Sequence, residues 1–223
     1  MQMQLSKIFS LLLEEYGPQH WWPGDTPWEI AAGALLTQNT NWGNVEKAIA
    51  NLKRLGLLDP AKIADSRDEI IQNTIRPAGY FRLKTYRFKN LARWWLANVR
   101  NDHLKRKSSD LDFWRDSLLS VSGVGRETAD SILLYSFHLP TFVVDTYTKR
   151  IMSRHYGTAE YIEYEELRDI FMKELPRDPV LFNEFHALFV RLGKEACGKR
   201  GCTAQCPLGG GAIHIENFKL NIQ

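Results

Sequence analysis

Cysteine is scarce in this chain, with three residues in 223, all near the C-terminus. An odd count in one patch gives no disulfide framework of the kind that staples small secreted domains. Long apolar runs are missing too. Nothing approaches the ~20 residues needed to cross a bilayer, so no membrane span is expected. The opening MQMQLSKIFSLLLEEYG has no basic leader followed by a cleavage site. It reads instead as an amphipathic helix over residues 3–16, with Leu5, Ile8, Phe9, Leu12 and Leu13 on one face. A soluble, cytoplasmic protein is expected. Neither charge sign dominates: 29 Lys and Arg face 26 Asp and Glu, leaving +3. That permits a nucleic-acid partner without identifying one. No alternating strand pattern and no internal repeat beyond paired helices can be read, which makes the chain all-α. Its length suffices for one compact domain or two small lobes.

Aromatic residues are abundant, and the most informative stretch runs from Trp114 to Arg154. Leu118, Leu119 and Val121 lead into Gly123-Val124-Gly125. A helical pattern then restarts through Ala129, Ile132, Leu133 and Tyr135, breaks at His138-Leu139-Pro140, and resumes after Asp145. This predicts two helices joined by a glycine hairpin, then a loop that sets one carboxylate at the start of a third helix. Paired glycines let the backbone turn with positive φ and leave amides uncovered. Amides at a helix N-terminus favour a phosphate, and Arg126 adds full charge. Asp145 follows Phe142, Val143 and Val144, an apolar approach. A carboxylate held near a sugar can stabilise oxocarbenium-like charge. Each feature also has a bland reading: a tight helix connection, and an N-cap before Thr-Tyr-Thr.

Taken together, LLSVSGVGRETAD followed by FVVDTYTKR resembles the helix-hairpin-helix and aspartate motif of the HhH-GPD DNA glycosylases, the endonuclease III superfamily. The resemblance covers roughly residues 25–208 and implies a two-lobed helical fold with DNA across the cleft. Residues 25–132 would form the central bundle with the hairpin; residues 1–24 and 133–223 would form the second lobe. It also implies a monomer acting on double-stranded DNA with a damaged base, in the cytoplasm and associated with the nucleoid. The damaged nucleotide must be extruded before the chemistry. Asp145 matches the family aspartate.

Bifunctional members carry a lysine in G-V-G-R-K-T-A, where Glu127 stands here. A carboxylate cannot form the imine that precedes strand cleavage. A monofunctional glycosylase is expected, with Glu127 near the base pocket or simply complementing the helix dipole. GRETADSILLYSF, the His20-Trp21-Trp22-Pro23 loop and TQNTNW together look like the 3-methyladenine DNA glycosylase III branch. Trp21, Trp22 and Trp42 would line a pocket for an alkylated purine, whose positive charge suits aromatic faces. The tryptophan pair could equally be a hydrophobic plug. Gln38 matches the family glutamine that fills the gap left by the flipped base, although capping chemistry would also use it. Tyr80, after Arg76-Pro77-Ala78-Gly79, occupies the position of a wedge residue. Arg82, Lys84, Arg87 and Lys89 follow it as phosphate contacts or as a solvated face. Asp59-Pro60 is expected to split two short helices between Leu57 and Tyr80. Two other functions stand beside the alkylpurine reading: an endonuclease III-like enzyme for oxidised pyrimidines or mismatches, and a non-catalytic binder of DNA structure.

The tail carries Cys197, Cys202 and Cys206 spaced C-x4-C-x3-C. It resembles the first three ligands of the family's [4Fe–4S] loop, but the fourth cysteine is absent and four thiolates are the usual set. Three alternatives stand: a cluster with a substitute ligand, His214 being nearest; a degenerate loop; or a branch without iron.

Overall fold

The computed structural model describes residues 2–21, 24–99 and 110–209, with the side chains of residues 2–4 excepted. The fold is helical, and the pattern of caps explains where the helices start. Pro27–Leu36 begins with Thr26, whose side chain accepts from the Glu29 amide at 3.1 Å. Pro179–Glu195 begins with Asp178, and Thr146–Tyr156 with Asp145. Asp59 caps Pro60–Asp65 by accepting from the amides of Ala61 and Lys62. Asp59-Pro60 therefore opens a helix and does not split one, since proline at the first position has no N–H to satisfy. The two short helices are Pro60–Asp65 and Asp68–Thr74, parted at Ser66-Arg67.

Two compact units form: residues 1–21 with 142–223, and residues 22–141. The second boundary lies at Thr141/Phe142, beyond the 132/133 expected from sequence. Ile132–Ser136 is a π-turn running on from helix Arg126–Ser131, and Ile132, Leu133 and Leu139 sit in the 22–141 core. Severing the chain at 132 would cut through that core. Trp28 anchors it, stacked on Phe88 at 5.6 Å and edge-on to Trp95 at 5.2 Å. The core of the other unit is built on phenylalanines: Phe142 stacks on Phe171 at 3.8 Å, with Phe182 and Phe185 edge-on. Leu5, Ile8 and Leu12 of helix Gln2–Tyr16 are buried, the face the sequence spacing gives. Among the described residues the strands amount to Cys197–Gly198 paired antiparallel with Gly201–Cys202, a ribbon inside the cysteine loop that the sequence pattern did not reveal.

The hairpin helices Leu111–Leu119 and Arg126–Ser131 are locked by a buried ion pair. Arg115 donates to both carboxylate oxygens of Asp130, at 2.9 and 3.1 Å, and Thr141 Oγ1 adds a bond of 2.8 Å. No helix among the described residues is long and apolar enough to cross a membrane.

Candidate active site

Asp145 sits where an apolar segment meets a helix N-terminus. Val143 and Val144 are buried before it, and Thr146–Tyr156 starts after it. Its Oδ1 accepts from the Thr148 amide at 2.7 Å and from Thr148 Oγ1 at 2.9 Å. Its Oδ2 faces His186 Nε2 at 3.6 Å, beyond hydrogen-bond reach but well within electrostatic range. Burial alone would raise this carboxyl. The nearby imidazole and the two Thr148 donors outweigh burial and hold it below the usual carboxylate range. The N-cap role and the electrostatic role thus coexist: one oxygen caps the helix while the other faces the imidazole.

His186 was not singled out from the sequence, and the structure makes it Asp145's neighbour. It is buried on helix Pro179–Glu195, its ring stacked on Trp21 at 5.4 Å and 19°. Phe142 meets it edge-on. Trp21, His186 and Asp145 consequently form one continuous group within one unit. Trp22 and His214 lie outside the described residues. Trp42 belongs to the other unit, where its indole N–H donates to Glu46 Oε1 at 3.0 Å. It borders a cavity of about 290 Å³ shared with Glu29, Glu46 and Lys53.

The hairpin is shaped by Gly123, whose φ is +98°. A Cβ there would lie 2.2 Å from Arg87 Cγ, so both the turn and the close approach require glycine. Gly125 precedes an uncapped helix N-terminus, with Arg126 and Glu127 exposed in its first turn. Val124 differs from expectation. Its amide donates to Val121 O at 2.9 Å and its side chain is buried, so it is a packing residue with no amide left for a phosphate. Gln38 is tied to this hairpin: Nε2 donates to Gly123 O at 3.1 Å and to Thr128 Oγ1 at 2.9 Å. Its Oε1 accepts from Arg87 at 2.6 Å.

Tyr80 is 66% exposed and holds φ +45°, and Asn39, next to Gln38, is exposed at φ +53°. Left-handed backbone in bulky residues costs energy and is concentrated at functional loops. Both loop roots meet at Lys84. Its buried ammonium donates to Leu36 O at 2.8 Å and Ala78 O at 2.7 Å. The basic run after Tyr80 is accordingly no continuous phosphate track. Lys84 and Arg87 bond inward, Lys89 bonds Ser66 O and Asp68, and Arg82 stays exposed.

The three cysteines converge, and the group that joins them is His155. Its Nε2 lies 3.3 Å from Cys202 Sγ and 3.8 Å from both Cys197 Sγ and Cys206 Sγ. Burial disfavours the Cys197 thiolate, yet hydrogen bonds from His155, Arg154 and Cys202 bring this thiol down to about 6. Arg150 and Arg154 clamp the loop, donating to the carbonyls of Cys197 and Gly198.

The glycine hairpin before helix Arg126–Ser131 and the carboxylate at the start of helix Thr146–Tyr156 are the two features that the resemblance to helix-hairpin-helix DNA repair enzymes predicts. Residues 32–177 match the family model of the HhH-GPD superfamily base excision DNA repair proteins, and the chain belongs to that superfamily. The protein named "Putative DNA repair glycosylase MJ1434" from Methanocaldococcus jannaschii is 44% identical over 91% of this chain and 92% of its own. Endonuclease III of Sulfolobus acidocaldarius is 28% identical over 74% of this chain and 72% of its own. The crystal structure of H. pylori 3-methyladenine DNA glycosylase bound to 1,N6-ethenoadenine superposes with a TM-score of 0.73. It is 27% identical and covers 87% of this chain and 97% of its own. The chain is a base-excision-repair DNA glycosylase by family, with a DNA-binding fold.

Proposed function

We propose that this protein is a monofunctional glycosylase that hydrolyses the N-glycosidic bond of a flipped alkylated purine, 3-methyladenine being the model substrate. The observation that supports the reading is the carboxylate of Asp145, held ionised at the start of helix Thr146–Tyr156, a charge that can stabilise a sugar cation. A purine alkylated on its ring carries positive charge and leaves as a neutral base. As the bond stretches, charge passes to the sugar, where Asp145 stabilises it, and water adds to C1′ and gives up a proton to solvent. No strong general acid is needed. Trp21 and Trp42 are the aromatic faces assigned to the base, together with Trp22 by resemblance. Gly123, Gly125 and Arg126 are assigned to a phosphate, and Tyr80 to the residue that wedges into the kinked duplex. Gln38 is assigned to the orphaned base, exchanging its bonds to Thr128 and Arg87 for bonds to that base.

A lyase step needs a free amine. Glu127 stands where the lysine would be, and Lys149, one turn beyond Asp145, donates to Ile162 O at 2.8 Å. Glu127 itself is assigned to the first helical turn, where its charge complements the dipole. We place the activity in the cytoplasm, on nucleoid DNA, by a monomer. The cysteine group lies outside the reaction, and no step passes through it.

The test is release of 3-methyladenine from methylated duplex DNA beside an Asp145→Asn control, with borohydride trapping in parallel. Release that disappears in the control, with no trapped adduct, is the expected result. A trapped adduct would overturn the monofunctional assignment. No release would redirect the search to oxidised pyrimidines and mismatches, and a blank there leaves a binding protein.

A further inference from the structure

Four soft donors meet at the C-terminal end of the helix that Asp145 begins. His155 lies in the last turn of that helix, and the three cysteines come from the loop after Glu195. The His155 ring is 2% exposed, and its Nδ1 has no hydrogen-bond partner among the described residues. The sulfurs are what its other nitrogen faces. This buried imidazole therefore has sulfur facing Nε2 and no hydrogen-bond partner at Nδ1 among the described residues.

The size of the group is informative. His155 Nε2, Cys197 Sγ and Cys202 Sγ all lie within 4.8 Å of one another, with the sulfurs 3.4 Å apart. Cys206 Sγ reaches the same nitrogen at 3.8 Å but stands outside that group of three, so it would have to draw in to complete a four-coordinate site. Around a single zinc ion, with Zn–S of about 2.3 Å and Zn–N of about 2.0–2.1 Å, tetrahedral ligand atoms stand about 3.5–3.8 Å apart. A four-iron cube spreads its terminal ligands much further, to edges of about 6 Å by the same geometry. The 3.4 Å between Cys197 and Cys202 is the spacing of ligands on one ion, far short of the edge of that cube. The donors therefore do not fit the [4Fe–4S] cluster that the family resemblance implies.

We propose that His155, Cys197, Cys202 and Cys206 form a Cys₃His site for one zinc ion, with His155 as the ligand that replaces the missing fourth cysteine. Closed four-coordinate sites of this composition are structural. The ion would tie the C-terminal loop to the far end of the helix that starts at Asp145, and Arg150 and Arg154 reinforce the same junction.

The test is metal content of the purified full-length protein, by mass spectrometry and visible absorption. About one zinc per chain without an iron–sulfur band is expected, and a chelator should lower the melting temperature. Cobalt substitution should give the intense bands of tetrahedral thiolate coordination. His155→Ala should weaken zinc binding roughly a hundredfold or more. His155→Cys should restore it, which separates a ligand from a residue that merely packs, and circular dichroism checks that each variant is folded. Iron with labile sulfide in stoichiometric amounts would overturn the proposal. So would failure of the metal-free protein to take up added zinc, or unchanged affinity in folded His155→Ala.

Discussion

Nε2 of His186 stands 3.6 Å from Oδ2 of Asp145, and the same imidazole is stacked on Trp21. One residue thus links the carboxylate to an aromatic face assigned to the damaged base. His186→Phe would keep ring packing against Trp21 and Phe142 while removing the nitrogen. Coulombic coupling of a carboxylate to a neighbour at this distance is worth about 1–4 kcal/mol, or roughly five- to several-hundredfold in rate. Single-turnover base release should fall by that factor with DNA affinity unchanged. An undiminished rate would make His186 a packing residue only.

The ionisation of Asp145 predicts its pH signature. Its folded pKa is depressed, so its stabilising contribution is fully present above the unfolded value of about 3.9. That contribution is lost as pH falls through the lower folded value. Acid unfolding should show wild type losing its advantage over Asp145→Asn only below about pH 4. Base release should likewise show no acid limb from this residue at neutral pH. An Asp145-dependent limb between pH 5 and 8 would contradict the assignment.

Lys84 offers a prediction about the loops. Removing its ammonium leaves the buried carbonyls of Leu36 and Ala78 without their donor. Lys84→Met should destabilise by about 2–4 kcal/mol in urea titrations, since each orphaned group costs about 1–3 kcal/mol. It should also loosen Tyr80 and the turn at Asn39, weakening duplex binding. A loss below about 0.5 kcal/mol would show that the clamp is dispensable.

Legibility in the sequence followed the range of each interaction. The hairpin and Asp145 were readable because glycine turns, N-caps and helical periods are local. Lys84 had a local signal that the charge run obscured: it shares a helical face with the buried Phe88, Leu91 and Trp95. Its place on that apolar stripe marks it as buried, whatever its charge. His186 and His155 had no such signal. Each meets its partner only through tertiary folding, 41 residues from Asp145 and 42 from Cys197 respectively. The unit boundary escaped for a related reason, because Ile132 and Leu133 belong to a core assembled from distant helices.

The two hairpin glycines should behave differently when each is changed to alanine. At Gly123 the added methyl group meets a φ of +98° and the Arg87 side chain at 2.2 Å. Arg87 must move, and with it the bond to Gln38 at 2.6 Å. Gly123→Ala should therefore lose about 1–3 kcal/mol of stability as well as DNA affinity. At Gly125 the φ is −92° and no atom lies within 4 Å of the new Cβ. Gly125→Ala should leave stability within about 0.5 kcal/mol. Its effect should appear only against DNA, where the methyl group would stand between the phosphate assigned to the hairpin and the first turn of helix Arg126–Ser131. Thermal melts and salt-dependent duplex binding of the two variants separate shape from contact. If Gly125→Ala binds duplex as wild type does, the phosphate does not approach through that position.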